Sequence, residues 1–302
     1  MNFYKTLRKK SELSVAEKVE RIAGRLKSLE PDWDRAFGGR RPSWTELLEW
    51  VERVEFEITD TPRHLWSREK RRWRFLSTIP LMGQGGHMLD VGCGLGTDSV
   101  LLHLATGVRI TGIDMDPMSL ETGAVRIAWL SERLGLAADA IAKPQKMNAA
   151  NLSFADASFD TVWSNESIEH IHPTDGLFRE VHRVLKPGGR FFVINQNGWS
   201  IYERLKAINT RGLKVYYKDI DPLNGKEILI AEERLLTPLA CRRLLQRIGF
   251  EDMRVMLNGL MPSPLADLVG SAKRLQEWDR VACSLPIIRS QASDFVLVAT
   301  KR

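Results

Sequence analysis

Apolar residues along the first 80 positions recur at helical spacing. Val15, Val19, Ile22, Leu26 and Leu29 share one helical face behind Ser14-x-x-Glu17, which has the spacing of a capping box. Pro42-Ser43 followed by Glu46 repeats that start signal ahead of Leu47, Trp50, Val51 and Val54. A third helical pattern runs from about Leu65 to Leu76, and Pro80 ends it. From residue 88 the text changes to short apolar runs alternating with helical stretches, the pattern of a parallel sheet covered by helices. Strands are predicted at 88–91, 108–113, 160–163, 190–194, 253–257 and 294–300. Helices are predicted from the glycine-rich turn after Val91 to about Gly107, from Asp116-Pro117 to about Leu134, over 175–185 and over 237–248.

Two insertions interrupt this rhythm. Segments 214–217 and 227–230, joined through Asn224-Gly225, predict a β-hairpin. Leu265, Leu268, Ala272, Leu275, Trp278 and Ala282 predict an extra helix over 265–283, placed to complete a pocket or to make a homodimer contact. The expected organisation is a helical N-terminal cap region over 1–80 and a core over 81–302 with insertions at about 200–235 and 260–292.

Composition narrows the class. Hydrophobic residues at 43% and charged residues at 27% describe an ordinary globular protein. The longest apolar runs fall far short of the roughly 20 residues that span a bilayer. Met1-Asn2-Phe3-Tyr4-Lys5 leads into charge rather than an apolar stretch, so a cytoplasmic location is expected. Cys93, Cys241 and Cys283 form neither a disulfide framework nor a CxxC pair. Secreted, collagen-like, membrane-spanning and zinc-ribbon classes are thereby excluded. The net charge of +6 is concentrated, since residues 1–80 hold 18 Lys and Arg against 13 Asp and Glu. The densest run is Arg68-Glu69-Lys70-Arg71-Arg72-Trp73-Arg74. It reads either as a basic patch for an anionic acceptor, a nucleic acid or a membrane surface, or as a solvated helix face with Trp66 and Trp73 packed inward. The mixed charges around it favour the solvated face.

The chemistry begins at Asp90-Val91-Gly92-Cys93-Gly94-Leu95-Gly96, a strand ending in a carboxylate, then glycines that let a ligand approach the backbone. Asp114 stands 18 residues after Gly96, at the end of Ile110-Thr111-Gly112-Ile113, where a carboxylate can accept both hydrogen bonds of a ribose diol. That much suits NAD and an adenosine thioether equally. The ordered set decides. Asp90–Gly96, Gly112-Ile113-Asp114, Leu152-Ser153-Phe154 before Ser158-Phe159-Asp160, and Leu185-Lys186-Pro187-Gly188-Gly189 resemble the motifs of class I S-adenosylmethionine-dependent methyltransferases. The resemblance covers roughly residues 86–200 and continues more weakly through Leu236-Thr237-Pro238 and Ile248-Gly249-Phe250.

The resemblance implies a Rossmann-like α/β fold: a seven-stranded methyltransferase sheet, six strands parallel and the last antiparallel, with helices on both faces and the N-terminal helical cap added. It implies S-adenosyl-L-methionine as cofactor, leaving S-adenosyl-L-homocysteine, across the carboxyl edges of the strands. Gly92, Gly94 and Gly96 would line its methionine part, Asp90 would orient its ammonium group, Asp114 would hold the ribose and Met115 would cover the adenine. Where such enzymes usually place an Asp and a small residue at the adenine edge, this chain has Asn148-Ala149, whose Asn carbonyl can still accept from the adenine amino group. Asn165 joins the cofactor-binding set, and Cys93 reads as loop packing.

On the acceptor side, Glu166, Glu169 and His170 form Glu-x-x-Glu-His, and on a helical turn the three share one face. The segment is similar to that of ubiquinone-pathway O-methyltransferases and small-RNA 2′-O-methyltransferases, which implies a divalent metal, Mg or Zn, held by Glu166, Glu169 and His170. The alternative is that His170 is a general base without a metal, and this stays slightly ahead. His172 reads as a second base, a fourth ligand or a loop residue, and Tyr202, Tyr216 and Tyr217 as acceptor contacts or hairpin packing. The function expected is methyl transfer to a small organic acceptor, at oxygen, in a biosynthetic pathway. RNA 2′-O-methylation, N- or C-methylation of a small molecule, and a non-catalytic cofactor-binding regulator are the alternatives.

Overall fold

The computed structural model describes residues 14–59, 65–201, 204, 216–231, 236–259, 274, 277, 281 and 290–302. Four helices come first: α1 (Val15–Ser28), α2 (Glu30–Phe37), α3 (Trp44–Thr59) and α4 (Leu65–Thr78). Both predicted capping boxes form. Ser14 and Glu17 exchange side-chain-to-backbone bonds at the start of α1. Ahead of α3 the Ser43 N–H donates to Glu46 at 2.9 Å while the Glu46 N–H donates back to Ser43 Oγ at 3.3 Å. The short helix α2 is not among the predicted elements. It follows directly on Leu29, which caps both helices, tolerates Pro31 because a first-turn residue needs no donor, and stops at Gly38 with φ 56°. Eight residues are too few to show a period, yet α2 buries Trp33 and Phe37. Trp33 packs edge-on against Trp50 and Trp129, with centroids at 5.0 and 5.5 Å.

The remaining elements are β1 (His87–Val91), α5 (Thr97–Thr106), β2 (Arg109–Asp114), α6 (Pro117–Leu134), β3 (Gln145–Lys146), β4 (Phe159–Asn165), α7 (Thr174–Val184), β5 (Leu185–Gln196), β6 (Tyr216–Ile220), β7 (Glu227–Ala231), α8 (Pro238–Ile248), β8 (Phe250–Asn258) and β9 (Asp294–Lys301). The sheet has the order β3-β2-β1-β4-β5-β9-β8. The β1–β2, β1–β4, β2–β3 and β4–β5 pairs are parallel, and β9 runs antiparallel to both β5 and β8. Seven strands with one reversed are what the resemblance implied. The two-residue edge strand β3 is exposed and carries no apolar run, so its pattern was not legible.

Alternation along the strands sends side chains to two cores. Met88, Trp163, Phe192, Ile194, Val296 and Val298 join one with the apolar faces of α1, α2, α3, α5 and α6. Leu89, Val91, Val162, Phe191, Val193, Phe295 and Leu297 join another with Leu177, Phe178 and Val181 of α7 and Cys241 and Leu245 of α8. Each fully buried side chain of this size contributes roughly 1.5–3 kcal/mol, and burial on both faces explains the near-continuous apolar strands. The N-terminal helices thus cover one face of the sheet. Because the chain leaves β1 toward β2 on one side and has β4 on the other, a crevice opens at the carboxyl ends of β1 and β4.

The predicted hairpin is β6–β7, whose first strand runs on to Ile220 because the turn begins at Asp221 and closes through the Gly225 N–H to the Asp221 carbonyl at 2.9 Å, while residues 214 and 215 lie outside the described residues. Tyr202 and most of the predicted helix over 265–283 lie outside the described residues. Among the described residues no helix is long and apolar enough to cross a membrane.

Candidate active site

The glycine turn leaves β1 at the crevice, and its three glycines do different jobs. All have positive φ: 72° at Gly92, 49° at Gly94 and 69° at Gly96. A Cβ on Gly92 would stand 2.3 Å from the Ser167 Cβ, and one on Gly96 would stand 2.3 Å from Ile127 Cδ1. A Cβ on Gly94 would meet no atom within 4 Å. Gly92 and Gly96 therefore allow close packing, and Gly94 faces open space. Cys93 is buried with its sulfur against Gly112, where a Cβ would come within 2.8 Å, and burial followed by the charges of Asp90 and Asp114 pushes its thiol up. Ser167, which no sequence signal marked, donates to the Val91 carbonyl at 2.8 Å and bonds Ser164 Oγ at 2.6 Å. It pins the turn after β4 against the glycine turn.

Three carboxylates, Asp90, Asp98 and Asp114, lie close to one another beside the glycine turn. Asp90 is 2% exposed and accepts from Ser99 Oγ at 2.6 Å. Burial, with the neighbouring charges of Asp98 and Asp114 adding to it, pushes the Asp90 carboxyl up to about 7. Burial also raises Asp114, although the N–H groups of Asp116 and Gly94, each at 2.9 Å on a different carboxylate oxygen, oppose it. Each Asp114 oxygen keeps capacity for a hydroxyl donor, as a diol requires. Met115 is partly buried beside it. Asn165 spans the crevice floor: its amide donates to Asp98 at 2.7 Å and its carbonyl accepts from Arg74 at 3.2 Å.

Several sequence expectations are corrected. Asn148 does not offer its carbonyl outward: it is 9% exposed, its oxygen accepts the Ala150 N–H at 3.0 Å, and its amide donates to Asp221 at 2.9 Å. Ala149 beside it is buried. Glu166, Glu169 and His170 do not form one helical face. Glu166 has φ 50°, outside any right-handed helix, and residues 168–170 make a turn with the His170 N–H on the Ser167 carbonyl at 3.0 Å. Glu166 instead takes Arg74 at 2.6 Å, while the buried Glu169 faces His170, with Oε1 at 3.9 Å from Nε2. Among the described residues no three His, Cys, Asp or Glu side chains are grouped to hold a metal ion, so the three-ligand site is not assembled.

The basic run of α4 is neither a free patch nor a wholly solvated face. Arg71 pairs with Glu52 at 3.0 Å and Asp98 at 2.7 Å. Arg74 pairs with Glu166 at 2.6 Å and Asp294 at 3.1 Å, and Lys70 reaches Asp294 at 3.1 Å. Arg72 alone of these four cations keeps to an exposed pair, with Glu49. Burial works against the Arg74 charge, but Glu166 and Asp294 outweigh it and raise its pKa. Trp73 packs against the first core. His172 is partly buried just ahead of α7. Tyr216 and Tyr217 lie in β6, and their side chains are outside the described set.

Residues 89–193 match the family described as a methyltransferase domain. Methyltransferase GfsG of Streptomyces halstedii is 37% identical over 36% of this chain and 37% of its own length. The 27-O-demethylrifamycin SV methyltransferase of Amycolatopsis mediterranei is 33% identical over 39% of this chain and 40% of its own length. The chain thus matches about two fifths of the length of these curated relatives. Among solved structures, phosphoethanolamine N-methyltransferase 2 of Haemonchus contortus, in complex with S-adenosyl-L-methionine, shares the fold. Its TM-score is 0.54 at 17% identity, over 86% of this chain and 57% of that one. Residues 89–193 thus form a methyltransferase domain, on a fold shared with an enzyme solved in complex with S-adenosyl-L-methionine.

Proposed function

We propose that the protein transfers a methyl group from S-adenosylmethionine to an oxygen of a small organic acceptor in a biosynthetic pathway, with His170 as the base. One observation carries the reading: open space over Gly94, whose N–H binds Asp114, lies next to a turn that Ser167 pins in place and that bears the His170–Glu169 pair. The residues fit the cofactor. Asp90 would meet its ammonium group, Asp114 its ribose, and Met115 and the loop at Asn148-Ala149 its adenine. When bound, the cofactor supplies an electrophilic methyl group on a positively charged sulfur.

The chain's own work is alignment and proton transfer. His170, 44% exposed at the crevice, takes the hydroxyl proton of the acceptor as the oxygen forms its bond to the methyl carbon. Glu169, nearly buried, is placed to pair with the imidazolium so formed. Arg74 and Asn165 hold the end of β4 from which this turn departs. The relative named for a 27-O-demethyl compound supports an oxygen acceptor. His172, Tyr202, Tyr216 and Tyr217 are proposed acceptor contacts.

Turnover with S-adenosylmethionine and a panel of phenolic and aliphatic hydroxyl acceptors tests the proposal. His170→Ala should lower kcat roughly 10²–10⁴-fold, the range for a positioned base, and leave S-adenosylhomocysteine affinity unchanged. Wild-type turnover by that variant would remove His170 from the reaction. Activity confined to amine or carbon acceptors would overturn the oxygen assignment.

A further inference from the structure

We infer that the β6–β7 hairpin is part of the cofactor site, clasping its nucleobase end through Asp221, so that Asp221 positions the loop at 147–151 for the cofactor. This rests on the cofactor reading above. The placement follows from the sheet. The ligand's cationic end belongs at Gly94 and its diol at Asp114, so its nucleobase must extend past β2 toward β3. Lys146 of β3 lies in register beside Asp114 of β2, and the Met147 N–H donates to the Asp114 carbonyl at 3.1 Å, so the loop beyond β3 begins where the diol site ends.

The hairpin is anchored on that loop. Asp221 is 2% exposed, and one of its carboxylate oxygens accepts from Asn148 at 2.9 Å and from Asn151 at 3.0 Å. The other oxygen accepts the Leu223 N–H at 2.9 Å inside the hairpin turn. Burial opposes the charge of Asp221, but these donors outweigh it and hold the carboxyl below its usual range. A second tie joins Lys146 to Asp219 at 3.7 Å. Meanwhile the Asn148 carbonyl oxygens, side chain and main chain, accept from the Ala150 and Asn151 N–H groups at 3.0 and 2.9 Å. One carboxylate from the insertion therefore sets the conformation of a core loop whose partners would otherwise be free to turn. A loop ordered before the ligand arrives lowers the ordering cost of binding.

Hydrogen exchange on the unaltered full chain, with and without saturating S-adenosylhomocysteine, tests this without a variant. Protection should appear at 216–231 and 147–151 as well as at 90–116. Protection at 90–116 with none at 216–231 would overturn the inference, whereas no binding at all would instead remove the cofactor reading. Calorimetry on an exchange of the pair tests the link itself. Asn148→Asp sets two carboxylates together and Asp221→Asn two amides, and each should weaken S-adenosylhomocysteine about tenfold. The double variant faces a carboxylate with an amide again and should return to within about threefold of wild type. Single variants that bind normally, or losses that multiply in the double, would overturn it.

Discussion

Arg74→Met removes a buried cation and keeps most of the side chain's volume. The guanidinium, 6% exposed, sits 2.6 Å from Glu166 and 3.1 Å from Asp294, and Asp294 is fully buried. Deleting one partner of a buried ion pair costs roughly 3–5 kcal/mol, because the other charge stays in place of low polarity without its counterion. Lys70, at 3.1 Å, still serves Asp294, and Glu166 is 44% exposed and can turn to water. The expected loss is therefore about 2–4 kcal/mol. For a chain of 302 residues that is a fall in Tm of roughly 3–6 °C, read by calorimetric or fluorescence unfolding. Arg40→Met is the control, since its pair with Glu46 at 2.6 Å has both side chains exposed and its removal should leave Tm within about 1 °C. Adding Asp294→Asn to Arg74→Met should recover part of the loss, because no buried carboxylate is then left short of a cation. If Arg74→Met proves as mild as Arg40→Met, the network is not stabilising and the reasoning fails.

The glycines give a second prediction. Gly94→Ala, strained by about 1–3 kcal/mol at its positive φ, should fold but bind S-adenosylhomocysteine at least tenfold more weakly, while Gly92→Ala and Gly96→Ala should lower Tm more through contact with Ser167 and Ile127; normal binding by Gly94→Ala would show that the open space is not the ligand's. A third concerns pH. Asp90, raised to about 7 in the folded chain against about 3.9 when unfolded, binds its proton more tightly folded, so its contribution to stability is present below pH 4 and is lost as pH rises toward 7. A ligand ammonium favours the ionised form, so S-adenosylhomocysteine should release protons on binding near pH 6.5 and bind more weakly as pH falls. Calorimetry in buffers of different ionisation heat checks this, and Asp90→Asn should abolish the release.

The strands and the long helices are legible in the sequence because their signals are local. Burial on both faces makes β1, β4 and β5 apolar, Ser14 caps its helix as its capping box predicts, and Asp116 and Thr237, where helices were expected to begin, are the N-caps. The glycine turn and Asp114 are legible for the same reason. What stays hidden depends on partners distant in sequence. Lys70 and Arg74 meet Asp294, and Asp221 meets Asn148, across 224, 220 and 73 residues. Nothing beside Arg71 in the chain reveals that it turns inward to Asp98. The Glu-x-x-Glu-His spacing misleads because it presumes a helix, and Glu166 in left-handed backbone breaks that presumption. Asp98 and Ser167 carry no motif of their own and become visible only when the crevice is assembled.

The proposed function turns on this crevice holding S-adenosylmethionine with Asp114 on its ribose. Titrating S-adenosylhomocysteine into the wild-type chain and into Asp114→Ala by calorimetry tests it most directly. The wild type should bind saturably. The variant should lose roughly 2–4 kcal/mol, for two hydrogen bonds to a charged acceptor. That is a weakening of about 30- to 1000-fold. Equal affinity in the two proteins, or no binding by the wild type, would contradict it.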